Sequence, residues 1–377
     1  MGKLSIKNND SGRLPELDGI RGLAILMVIV WHYGNCQLAS QSLTLNPVLK
    51  ALTNATSLFW SGVDLFFVLS GFLIGGILLK YKNSSSSYFR AFYTRRIFRI
   101  FPIYYMLFAL TLVCTLLGVG LKFPWLFNRM LPLWSFPLFI QNFFMAQYST
   151  YGAHWLGVTW SLAIEEQFYL IIPAVIYFTK RERLPIILSF FIVLAPLFRI
   201  LFNRLGFSDL YSEVLLPCRM DSLLLGVLIA YCFQNKDFIA SLQNRKIFIY
   251  LAFWVLLIGL LIMQSVGKFT GFRFTLLAFL YGTLIIIALI DKESLLGKFL
   301  RNPILQQAGI VSYGIYLYHQ PISGIMHQLF LKQSPQIIGL NSLLVTLLAL
   351  ITTIIAALIS YYLFERFLIN IGHKSKY

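Results

Sequence analysis

Apolar residues fall in long blocks along this 377-residue chain, separated by short polar stretches rich in lysine and arginine. Blocks of spanning length, about 20 residues, lie near 20–40, 58–80, 100–121, 158–179, 185–204, 215–234, 247–266, 272–291, 308–330 and 341–364. The pattern predicts an all-α polytopic membrane protein of about ten transmembrane helices, with both termini on one side. One further apolar segment, 133–147 (LWSFPLFIQNFFMAQ), is short and contains Pro137, which fits a re-entrant or interfacial piece. The loops leave no room for a long soluble domain. The chain therefore reads as one membrane-embedded domain over 1–377, with polar tails at 1–18 and 366–377.

Composition agrees: 58% of residues are hydrophobic and only 12% charged, against nearer half and a quarter in soluble domains. The net charge of +17 would suit a nucleic-acid binder, but the basic residues sit at the ends of apolar blocks, which is how membrane topology is written. Of the 31 lysines and arginines, 22 fall on the side of the termini. They include Lys3, Lys7, Arg13 and Arg21, six from Lys80 to Arg99, and Arg366, Lys374 and Lys376. That asymmetry predicts cytoplasmic termini. The serine run at 84–87 reads as a flexible piece of the first inner loop. Cys36, Cys114, Cys218 and Cys232 stand singly, without metal-ligand spacing, and suit membrane packing. The N-terminus lacks the basic start of a cleaved signal peptide, so the first block is expected to remain as a helix. No internal repeat and no glycine-rich phosphate loop is visible.

The first span carries an arginine and a histidine at its ends, in RGLAILMVIVWH. Eleven residues make about three helical turns, so Arg21 and His32 share a face ~16 Å apart along the axis. With Arg21 at the cytoplasmic surface, His32 lies near the bilayer midplane. Intramembrane ionisable residues are costly and are functional candidates by default. The same rise places Glu165, Asp221 and His319 ~22 Å from the inner surface and Asp64 ~24 Å, with Arg219 close by. Structural ion pairing of Arg219 with Asp64 or Asp221 accounts for those three. An imidazole beside a carboxylate, His32 with Glu165, makes a general base. In the first inner loop, YTRRIFRIFP sets Arg96 and Arg99 on one helical face. Such a pair anchors topology, and its guanidinium forks also suit phosphate oxygens, with Arg21 as a third member.

These stretches add up to a family. LPELDGIRGLAILMVIVWH with its Arg-x10-His spacing, GVDLFFVLSGFLI, RRIFRIFP, WSLAIEEQFYL, RMDSLLLG and SYGIYLYH occur in that order. In them the chain resembles the acyltransferase 3 family of membrane acyltransferases over essentially its whole length. The resemblance implies transfer of an acyl group, usually acetyl from acetyl-CoA, to a hydroxyl of a glycan such as lipopolysaccharide O-antigen or another surface polysaccharide. It places the protein in a bacterial inner membrane. Matched residue by residue, Arg21 and His32 take the family's functional pair, Arg96 and Arg99 its Arg-x-x-Arg motif, and Glu165 its acid.

Coenzyme A fits this spacing, since its phosphates and its thioester lie at opposite ends of a thin pantetheine arm. On that reading Arg21, Arg96 and Arg99 bind the phosphates from the cytoplasm, and no metal is required. His32, oriented by Glu165, deprotonates the acceptor or carries the acyl group. Tyr316, Tyr318, Ser70 and Trp160 are candidate lining residues, and Trp134, His154 and Trp155 candidate stacking surfaces for an outer sugar. Many members append an extracytoplasmic hydrolase-like domain. This chain ends at Tyr377, so direct transfer, or a handover to a separate acyl-accepting protein or a second copy, is expected. The expected partners are acetyl-CoA, a glycan or lipid-linked glycan and membrane lipid, with no nucleic acid. A small-molecule acceptor such as an antibiotic, or a proton-coupled transporter or flippase using the same charges, are the alternatives.

Overall fold

A computed structural model describes residues 14–38, 47–83, 87–127, 130–266, 270–375 and 377. Lys3, Lys7, Arg13, Lys376, most of the tail 1–18 and most of the serine run lie outside the described residues. Ten long helices follow in chain order: α1 (Pro15–Val30), α2 (Gly62–Tyr81), α3 (Tyr88–Leu116), α4 (Trp160–Phe178), α5 (Leu184–Arg204), α6 (Leu216–Cys232), α7 (Lys246–Val266), α8 (Thr270–Ile290), α9 (Ser312–Leu331) and α10 (Leu340–Ser360). They match the ten apolar blocks, and the chain is an all-α polytopic membrane protein. Among the described residues, nine stretches are long and apolar enough to span a membrane. The tenth, α9, has 20 residues but carries Tyr313, Tyr316, Tyr318, His319, Gln320, His327 and Gln328, which lower its hydropathy.

Boundaries differ from expectation at three helices, and the first is α3, which begins at Tyr88 rather than near 100, so that Arg96 and Arg99 lie within it. The block at 308–330 breaks at Val311, so a short helix (Pro303–Ile310) precedes α9. The last span continues through a π-helical turn (Tyr361–Glu365) into another short helix, Arg366–His373. The segment 366–377 is thus largely helix: Gly372 lies against Arg95 and Phe98 of α3, and Arg95 donates to the Ser375 carbonyl at 2.9 and 3.1 Å. The segment 133–147 folds as a 3-10 turn (Leu133–Ser135) and a helix (Gln141–Gln147), too short to span. Tyr104 and Tyr105 of α3 donate to the carbonyls of Phe136 and Pro137 at 2.8 Å, which satisfies irregular backbone beside the bundle.

Helices in lipid approach closely where small residues face each other. At the α2–α6 crossing, a Cβ on Gly71 would overlap the Leu223 carbonyl and one on Gly226 the Val68 carbonyl. Helix α7 instead buries little, with Ile247, Trp254, Val255 and Ile262 more than half exposed, as suits a lipid-facing helix.

Candidate active site

Two of the three expected arginines, Arg21 and Arg99, line one cleft beside the start of α1. Pro15 opens the helix and Glu16 and Asp18 occupy its first turn, where acids suit the helix dipole. Arg21 Nη1 pairs with Asp18 Oδ1 at 2.6 Å. Arg21 and Asp18 line an open cleft together with Arg99 of α3, Tyr313 of α9, Tyr361 and Glu365. The structure thus brings Arg21 and Arg99 together from two helices. Arg96, three residues before Arg99, turns aside. Its guanidinium lies 5.7 Å from the centre of the Tyr169 ring and 5.9 Å from that of Phe92, and its Nε is buried without a hydrogen-bond partner.

Glu165 belongs to this end, not beside His32. Its carboxylate is hydrogen-bonded by Ser70 and Tyr169 and lies within electrostatic reach of Arg96 and Arg99. Ser70 and Tyr169 are themselves 2.5 Å apart. Among the described residues no hydrogen bond or ion pair joins His32 to Glu165. The expected carboxylate–imidazole pair is therefore corrected. Axial height put the two groups at similar depth, but α4 turns Glu165 toward α2 and α3, where the guanidinium charge stabilises it. Glu166 also lies near Arg96.

His32 occupies a π-helical turn (Trp31–Asn35) that ends α1. Such turns are rare and frequent at functional sites. Its Nδ1 lies 2.9 Å from the Val28 carbonyl, and its ring centre is 4.9 Å from that of His319. Tyr316 lies 5.8 Å from His319, centre to centre, and its hydroxyl sits 2.6 Å from Ser161 Oγ and donates to the Val158 carbonyl at 3.0 Å. Of the proposed lining residues, His319 therefore adjoins His32, and Tyr316 adjoins His319. Ser70 sits with Glu165, and Tyr318 bonds to Ser360 at 2.9 Å, which donates to Glu365 at 3.0 Å.

The remaining acids form buried ion pairs. Arg219 Nη2 meets Asp64 Oδ1 at 2.7 Å, both side chains about 1% exposed. The guanidinium stacks 3.7 Å from the Phe274 centre and 5.9 Å from that of Trp160, so Trp160 is part of this packing. Asp221 does not pair with Arg219. Its partner is Arg199, at 2.8 Å, with Thr275 donating at 2.7 Å. Arg199, which the sequence reading passed over, is fully buried and also donates to the Gly271 and Cys218 carbonyls. A lone arginine inside the α5 block was the available signal. Of the outer aromatics, Trp134 is 58% exposed, whereas Trp155 is buried 5.0 Å from Phe127 and offers no stacking face. Glu365, at the edge of the last apolar block, was also missed. Among the described residues no group of three His, Cys, Asp or Glu side chains is placed to hold a metal ion.

Residues 14–362 match the model of the acyltransferase 3 family, an acyltransferase domain. The chain belongs to this family. The acyltransferase 3 motifs lie on α1, α2, α3, α4, α6 and α9, whose side chains build the arginine cleft, the histidine pair and the ion pairs. YrhL of Bacillus subtilis, whose name assigns it provisionally to peptidoglycan O-acetylation, is 28% identical over 386 residues, 96% of this chain and 56% of YrhL. The O-acetyltransferase OatA of Staphylococcus aureus is 29% identical over 384 residues, 96% of this chain and 58% of OatA. The chain spans little more than half the length of these curated relatives. No solved structure matches it.

Proposed function

We propose that this chain is a membrane O-acetyltransferase that moves an acetyl group from cytoplasmic acetyl-CoA to a hydroxyl of a cell-surface glycan. The observation that carries the reading is the arrangement on α1. Arg21 opens into a polar cleft shared with Arg99, and His32, eleven residues on, lies deep in the bundle. The ~16 Å between them along the helix suits the distance from coenzyme A phosphate to thioester. Arg21 and Arg99 hold phosphate, and Arg96, steadied by Glu165, adds positive charge beside them. The Nδ1 of His32 donates to the Val28 carbonyl, so its Nε2 lone pair is free to take the acceptor proton. The O–C bond then forms, the C–S bond breaks, and the proton passes to the thiolate. The chain sits in the inner membrane with its arginine cleft and both termini toward the cytoplasm.

Peptidoglycan is the acceptor class, on the strength of YrhL's name; lipopolysaccharide O-antigen and small molecules are the rival acceptors. The test is purified protein in nanodiscs with radiolabelled acetyl-CoA and, in parallel, solubilised peptidoglycan strands or lipopolysaccharide. Alkali-labile label on the strands supports the reading. Thiol release with label only on lipopolysaccharide would shift the acceptor, and no thiol release with any acceptor would refute the enzyme.

A further inference from the structure

With Glu165 held among the arginines, the ring against His32 is His319 of α9. Their centres lie 4.9 Å apart at an interplanar angle of 59°. His319 is fully buried, and its Nδ1 sits 2.7 Å from the Tyr316 carbonyl and 3.3 Å from that of Ile315. A carbonyl only accepts, so Nδ1 carries the proton in both rings and each Nε2 bears a lone pair. The Nε2 of His319 is buried without any hydrogen-bond partner. Buried polar atoms are nearly always paired, so one left open calls for an explanation. The ring is also fixed in place: Tyr33, in the same π-helical turn as His32, donates to the His319 carbonyl at 2.8 Å and to or from Thr353 at 2.9 Å. His154 lies within electrostatic reach of both rings.

We propose that His319 is the positioning partner of His32, its Nε2 accepting a hydrogen bond from the imidazolium that forms on His32. This rests on the acyl-transfer reading above. A charge created in an apolar site is costly unless it is hydrogen-bonded, and among the described residues no carboxylate bonds to His32 to meet it. The acceptor proton moves to Nε2 of His32 as the O–C bond forms and the C–S bond breaks. It is held between the two Nε2 atoms, then goes to the coenzyme A sulfur, and both rings return to neutral. Before reaction the two rings are held against each other by packing, with Tyr33 tying the His32 turn to the α9 backbone at the His319 carbonyl.

Glutamine and asparagine separate this role from packing. A glutamine amide reaches the position of Nε2 and keeps an acceptor there, whereas an asparagine amide reaches only that of Nδ1. Thiol release from acetyl-CoA is measured in nanodiscs with solubilised peptidoglycan strands as the acceptor, for His319→Gln, His319→Asn and His319→Leu. Folding is judged by acetyl-CoA binding at the distant cleft. His319→Asn and His319→Leu are expected to lose about ten- to a hundredfold in kcat, as on losing a hydrogen bond to a charged group. KM for acetyl-CoA should hold and His319→Gln should recover most of the rate. In a His32→Ala background, the His319 substitutions should add nothing, since coupled residues are not additive. The proposal is overturned if His319→Asn works as well as His319→Gln, if His319→Leu keeps the full rate, or if the losses appear in KM. Should His319→Leu fail to fold, the glutamine–asparagine comparison decides. A wild-type protein that releases no thiol with either peptidoglycan strands or lipopolysaccharide refutes the acyl-transfer reading instead.

Discussion

Replacing Asp64 with asparagine removes the carboxylate that, among the described residues, is bonded to the Arg219 guanidinium. In the folded protein the two groups meet at 2.7 Å, each about 1% exposed, with Phe274 stacked on the guanidinium at 3.7 Å. No water reaches the stranded cation, so it keeps its desolvation cost and loses its counter-charge. Breaking a buried pair from one side typically costs about 3–5 kcal/mol. For a chain of this size that corresponds to a fall on the order of 4–6 °C in unfolding temperature. Removing both charges, in Asp64→Leu with Arg219→Leu, strands neither and should recover most of the loss. Tryptophan fluorescence in detergent at one fixed scan rate reads the unfolding, since membrane proteins seldom unfold reversibly. Two results would refute the reasoning: Asp64→Asn melting within about 2 °C of wild type, or a double variant no more stable than the worse single one. Asp221→Asn should resemble Asp64→Asn through Arg199. A fully folded but inactive Asp221→Asn protein would make that pair part of the chemistry.

Gly226→Val should abolish the yield of folded protein, because its Cβ would enter the Val68 carbonyl of the crossing helix; normal yield by size-exclusion chromatography would contradict the close α2–α6 packing. Glu165→Gln should act through the donor: KM for acetyl-CoA rises because Arg96 loses a partner, while kcat holds within about threefold. A fall of about a hundredfold or more in kcat would restore Glu165 as a partner of His32. Acetyl-CoA affinity should fall with added salt, as expected of phosphates held in an open cleft; salt-independent binding would rule out an ionic clamp. A reporter fused after Tyr377 should score as cytoplasmic, and a periplasmic signal would overturn the orientation.

The long elements were legible because bilayer thickness fixes their length, and runs such as 247–266 and 272–291 have no competing reading. The meeting of Arg21 and Arg99 was legible as well, since both lie at the start of their apolar blocks, on the same expected side. Lateral placement was not. A residue's height along its helix does not say which neighbour it faces, so Glu165 could be assigned to His32 although α4 turns it to Arg96. The exchange of partners at Asp221 has the same origin, because Arg199 was not weighed as a rival to Arg219. The π-helical turns at Trp31–Asn35 and Tyr361–Glu365 have no residue signature in the sequence. They bring Tyr33 to α9 and Glu365 into the cleft, and only the packed helices reveal them.

The central claim is that α1 divides the work, binding the donor at Arg21 and performing the transfer at His32. Calorimetric acetyl-CoA binding, measured beside thiol release in nanodiscs for His32→Ala and Arg99→Ala, tests it most directly. His32→Ala should bind within about threefold of wild type while turnover falls by about 10²–10⁴. Arg99→Ala should bind about ten- to a hundredfold more weakly, the worth of one charge-assisted hydrogen bond. If His32→Ala abolishes binding while Arg99→Ala leaves it untouched, the division along α1 is wrong.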